Sequence, residues 1–135
     1  MGTAYATLWR MRRSLVVAVA AAVLCVPSLA QAADATYVRN PLTGRLAQHP
    51  RKLNFRDVDL TGLKWVQWGQ TKAIGRGNAS VLICEPSCAD GHRERGKVRV
   101  VLSKRVVEGD KRVYRCIEGR IKGLPKAYSR ISWMC

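Results

Sequence analysis

Histidine is nearly missing from this chain: His49 and His92 are the only two in 135 residues. A serine or cysteine nucleophile needs a nearby base, most often histidine. His49 precedes a proline, and His92 sits in the hydrophilic run Asp90-Gly-His-Arg-Glu94, so neither lies in a nucleophile motif. Carboxylates are also few, with nine Asp and Glu against 24 Lys and Arg. A glycosidase sets two of them across a sugar. Asp57 and Asp59 could share a strand face, but they read as ordinary surface residues. No cluster of His and carboxylates has the spacing of a metal site. A Gly-rich phosphate loop is lacking, because Gly75-Arg-Gly77 is too short and falls in a strand-like stretch. Cys-x-x-Cys is absent as well. These gaps leave no catalytic set and imply no metal and no cofactor.

Long apolar runs are lacking everywhere but the N-terminus. Arg10, Arg12 and Arg13 precede the apolar stretch Ser14 to Val26, Pro27 breaks it, and Ala30-Gln31-Ala32 offers a small-x-small site. That is the layout of a signal peptide, too short for a comfortable membrane span. Cleavage after Ala32 is expected, giving a secreted, extracellular protein with no transmembrane segment. Leu24 before Cys25 is a poor lipoprotein site, and Met-Arg-Arg from Met11 offers a second possible start. The remaining 33–135 region has room for one small domain. It carries 21 basic and nine acidic residues, a net charge of +12 with His neutral.

Four cysteines follow the leader: Cys84, Cys88, Cys116 and Cys135. An even count in a short exported chain reads as two disulfides. Three pairings are possible. Proximity favours Cys84 with Cys88, which leaves Cys116 with Cys135. A four-cysteine zinc site would show two close pairs, and only one exists.

No sustained 3.6-residue period follows the leader, so a helical bundle is excluded. The 33–54 segment holds Asn40-Pro41, Thr43-Gly44 and His49-Pro50, turn signals that read as an irregular basic arm. The 55–135 segment reads as the β-domain. Leu63 and Trp65 share one strand face, Val66 and Trp68 the other. Ala73, Gly75 and Gly77 alternate with larger residues, leaving room for an indole from Trp65 or Trp68 to pack across them. The alternative for the tryptophans is an exposed platform for a sugar or a base. The clearest strand is Lys97 to Val107, with Val98, Val100 and Leu102 on one face. Glu108-Gly-Asp-Lys111 signals a hairpin, Arg112 to Ile121 returns, and Tyr128 to Cys135 closes the sheet. The fold class is all-β, a small disulfide-stapled antiparallel sandwich or barrel.

The stretch from Leu60 to Gly119 resembles a group of small secreted actinobacterial proteins of unknown function. The matching residues are Trp65, Trp68 and Gly69; Ala73, Gly75 and Gly77; Cys84, Pro86, Cys88, Ala89 and Gly91; and Val98 and Val100. The resemblance implies a β-rich exported domain and supplies no activity or catalytic residue.

Charge then carries the functional expectation. A strongly basic exported domain attracts polyanions in a salt-sensitive way. The expected role is non-enzymatic binding at the cell envelope or outside the cell, with anionic envelope polymers or another protein as partners. Nucleic acid would bind only nonspecifically. The expected contact face is Lys97, Arg99, Lys104, Arg105, Lys111, Arg112 and Arg115. Two alternatives remain. A small ribonuclease would use His92, Glu94 or Glu108, and Arg95 as acid, base and phosphate-binding groups. An inhibitor- or toxin-like module would present the Cys84–Cys88 loop to a partner.

Overall fold

The computed structural model describes residues 35–135; the leader, its cleavage site and Cys25 lie outside them. The chain forms one curled sheet whose inner face holds the core. The strands are β1 (Thr36–Arg39), β2 (Leu46–Ala47), β3 (Lys52–Asn54), β4 (Val58–Gln67), β5 (Ala73–Ile83), β6 (His92–Glu108), β7 (Lys111–Lys122) and β8 (Arg130–Trp133). Their order in the sheet is β2-β1-β7-β6-β5-β4-β3. The outer edge of β7 is shared: β1 runs parallel along Arg112–Tyr114, and β8 runs antiparallel along Ile117–Arg120.

Alternation along β5, β6 and β7 builds the inner face. Ala79, Val81 and Ile83 point inward, as do Val98, Val100 and Leu102, and Ile117 and Ile121. Burying one such Val, Leu or Ile fully contributes about 1.5–3 kcal/mol. Leu60 and Leu63 of β4 complete the core from one side, and Ile131 of β8 from the other. The β6–β7 hairpin closes on a two-residue loop, Gly109-Asp110, between paired Glu108 and Lys111. Gly109 has φ +64°, the left-handed conformation that such a loop needs and glycine accepts without strain.

Trp65 lies across Gly75, as the small-residue alternation implies. A Cβ on Gly75 would sit 2.8 Å from Trp65 Cε3. Gly77 is instead capped by Leu63 and the Thr61 carbonyl. Trp68 departs from the alternation expected of it. The β4–β5 register shifts between Trp65 and Gln67, and such a bulge turns the following side chain over. Trp68 therefore joins Trp65 on the inner side, edge-to-face at 4.8 Å, with Tyr114 edge-to-face at 5.6 Å and His49 at 4.5 Å. The indole N–H groups donate to backbone carbonyls, Trp65 to Pro50 at 2.9 Å and Trp68 to Thr36 at 3.1 Å. Packed inward with their donors satisfied, these tryptophans are core residues and not an exposed platform.

The 33–54 segment needs correction. From Thr36 it is part of the sheet, contributing β1, β2 and β3, and Val38 and Leu53 are fully buried in the core. Its turn signals are real: the Asn40 side-chain oxygen accepts from the Leu42 and Thr43 amides in a tight turn. Between the turns, however, each short run finds a neighbouring strand whose backbone it satisfies.

Both expected disulfides are present. Cys84–Cys88 closes the β5–β6 loop, and Cys116–Cys135 ties β7 to the C-terminus. Two disulfides fit an extracellular or otherwise oxidising compartment. Among the described residues, no helix is long and apolar enough to cross a membrane.

Candidate functional site

Strand alternation puts the other half of each strand on the outer face. On β6 that half is Arg93, Arg95, Lys97, Arg99 and Val101, opposite in sense to the buried Val98 and Val100. The pairing register then aligns cations from five strands. Lys64 of β4 is opposite Arg76 of β5, and Arg76 is opposite Arg99 of β6. Arg99 is opposite Arg120 of β7, and Arg120 is opposite Arg130 of β8. All five are exposed. Adjacent strands lie about 4.8 Å apart, so the row spans about 19 Å across the sheet.

None of the five side chains has a hydrogen-bonded or ion-paired partner among the described residues. Acidic residues elsewhere are engaged: Glu108 holds Arg39 at 2.6 Å, and Asp59 holds Arg93 at 2.6 Å. Glu118, two residues from Arg120, is the one carboxylate lining the depression between Arg99, Arg120 and Arg130, a space of about 370 Å³. A second depression, about 490 Å³, lies between Arg76, Lys97, Arg99, Arg120 and Lys122. Beside the row runs a mixed rank in which Asn78 pairs with Lys97 and Lys97 with Lys122. There Lys97 Nζ donates to Asn78 Oδ1 at 2.7 Å.

Like charges directly opposite each other destabilise a sheet. The row contains four such pairs, each costing up to about 1 kcal/mol. Two or three buried aliphatic side chains offset that, so the fold tolerates the row without being helped by it. The arrangement can hold a negatively charged chain. It offers exposed cations at regular intervals, with the Glu118 carboxylate set among Arg99, Arg120 and Arg130.

Of the seven cations expected to form one surface, the structure brings only Lys97 and Arg99 to this face. Lys104 Nζ donates to the Cys135 carbonyl at 2.8 Å, and Arg105 to the Gly69 carbonyl at 2.6 Å. Lys111 pairs with Asp110 at 3.1 Å, a hydrogen bond that lowers the Asp110 pKa and raises that of Lys111. Lys104 to Arg115 lie toward the hairpin end of β6 and β7, beyond Lys104, whose φ of +55° breaks the strand alternation. Lys64, Arg76, Arg120, Lys122 and Arg130, which complete the face, lie outside those seven.

Of the residues of the ribonuclease alternative, the structure brings His92 and Glu94 together and leaves Arg95 and Glu108 apart from them. His92 Nε2 and Glu94 Oε1 are 3.1 Å apart. Both belong to the alternate set of β6, facing away from Arg95 and Arg99. Glu108 is at the far end of the strand, committed to Arg39. The Cys84–Cys88 loop is exposed and is steadied by Ser87 Oγ donating to Asp90 at 2.7 Å and the Tyr128 hydroxyl donating to Glu85 at 3.1 Å. Cys116, Glu118 and Cys135 bring their donor atoms within 4.8 Å, but both sulfurs are spent in a disulfide and are not thiolate ligands. Comparison with known family models, curated proteins and solved structures gives no match.

Proposed function

We propose that this is a non-enzymatic binding domain, secreted by the leader that ends at Ala32, that holds an anionic polymer on the outer face of its sheet. The observation that carries the reading is the row Lys64–Arg76–Arg99–Arg120–Arg130, five exposed cations in direct register, none in an ion pair among the described residues and with Glu118 the one carboxylate beside them. A fold has no stability reason to align like charges in this way. An external polyanion supplies the missing charges and releases its own counterions on binding, which makes such binding salt-sensitive.

Retention of the oxidised protein on an immobilised polyanion tests this at two ionic strengths. Binding at low salt is expected, with loss as salt rises. The double variant Arg99→Glu/Arg120→Glu should elute far earlier than Arg45→Glu/Arg51→Glu, which changes net charge equally at exposed sites outside the row. Equal elution of the two variants, or retention flat in salt, would remove the row as the binding surface.

A further inference from the structure

We infer that the row reads a single flexible phosphodiester chain without bases, a polyol-phosphate polymer, laid across the strands from β4 to β8. The inference rests on the proposed polyanion reading and narrows it to one ligand chemistry. Three observations lead to it.

Guanidinium dominates the row. Four of its five cations are arginines, one on each of β5, β6, β7 and β8. Arginine presents a planar fork of donors that matches phosphate oxygens in pairs, where lysine acts as a point charge. In-register arginines on adjacent strands therefore favour a chain carrying phosphate groups at repeated intervals.

The row also follows the curl of the sheet. The core lies inside, so the outer face is convex, and the row runs across the strands, the direction in which the sheet bends. A flat lipid surface meets the crest of such a row and leaves its ends behind. A flexible chain follows it from Lys64 to Arg130.

Finally, among the described residues the face has no aromatic platform: Trp133 of β8 also packs against the core. Proteins that hold single-stranded nucleic acid alternate cations with aromatic side chains on which bases stack. Here Trp65, Trp68 and Tyr114 all turn inward and donate to backbone carbonyls. The outward neighbours of the row on β5 and β6 are Ile74, Asn78, Lys97 and Val101. The surface can grip a phosphodiester backbone and lacks the aromatic rings on which successive bases stack.

Titration of the oxidised protein with four probes decides it: poly(glycerol phosphate), poly(dT), polyglutamate of matched charge, and phosphatidylglycerol vesicles. The expected result is that poly(glycerol phosphate) binds at least as tightly as poly(dT) and at least tenfold tighter than polyglutamate or the vesicles. Its log affinity should fall against log salt with a slope of about −3.5, from about −0.7 per phosphate engaged by five cations. Arg99→Thr/Arg120→Thr should shallow that slope by about 1.4 without lowering the melting temperature. Tenfold tighter binding of poly(dT) would show that bases are read and overturn the inference. So would parity with polyglutamate, or with vesicles bearing the same headgroup. Should none of the four bind in a salt-sensitive way, the broader polyanion reading falls with it.

Discussion

Tyr114 shows how a single side chain links the core to the open end of the sheet. Its ring is fully buried against Trp68, and its hydroxyl donates to the Gln70 carbonyl at 2.6 Å. Burial raises the phenol pKa above its ordinary 10.0, partly countered by Arg105 nearby. A raised folded-state pKa means the neutral form is favoured by folding. That contribution is whole below 10.0 and is lost as pH rises through the folded value. Tyr114→Phe should cost about 1 kcal/mol at neutral pH, for the lost hydrogen bond. Denaturant titration at pH 7 and near pH 11 should show the wild-type advantage shrinking with alkalinity. Gly75 supplies a second test at this scale. Gly75→Val drives a side chain into the Trp65 ring and should destabilise by about 1–3 kcal/mol, read from the same titration.

Between strands, the register matters more than any one residue. Part of the cation row was legible in the sequence. A two-residue loop at Gly109-Asp110 pairs Glu108 with Lys111, and counting back along both strands puts Arg99 opposite Arg120. The rest was hidden. The disulfide loop between β5 and β6 gives no register by itself, so Arg76 opposite Arg99 is visible only once the strands are paired. Lys64 is hidden further, by the register shift between Thr61 and Lys64. Turn-rich composition likewise concealed β1, β2 and β3, because strands of two to four residues show no period. The cost of the row is testable at this level. Arg99→Thr relieves repulsion from both Arg76 and Arg120 and places a β-branched residue in a central strand. It should raise stability by roughly 0.3–1 kcal/mol at low salt, the gain fading as salt screens the charges. The same variant should bind polyanion more weakly. A residue whose removal helps the fold and harms binding is one retained for binding.

Over the whole molecule, one curled sheet with an open seam relies on its cross-links. The all-β class follows from strand alternation, and the pairing that proximity favours among the three possible is the one formed. Cys116–Cys135 spans 19 residues and fixes the C-terminus beside β8, which carries Arg130 at the end of the row. Cys116→Ser/Cys135→Ser should lose roughly 3 kcal/mol, and Cys84→Ser/Cys88→Ser, closing a far shorter loop, roughly 2. Thermal melts of the two double variants rank them. The first pair should also weaken polyanion binding, by loosening β8, while the second should leave it intact. The oxidised sulfurs thus hold a convex sheet, and the sheet holds a line of charge.

That line of charge is tested most directly by backbone amide shifts in the NMR spectrum of the labelled, oxidised protein as poly(glycerol phosphate) is added. The account predicts that Lys64, Arg76, Arg99, Arg120 and Arg130 and their strand neighbours move together, with the movement reversed by salt. Shifts centred instead on Lys104 to Arg115, on the Cys84–Cys88 loop, or around Trp65 and Trp68 would contradict it.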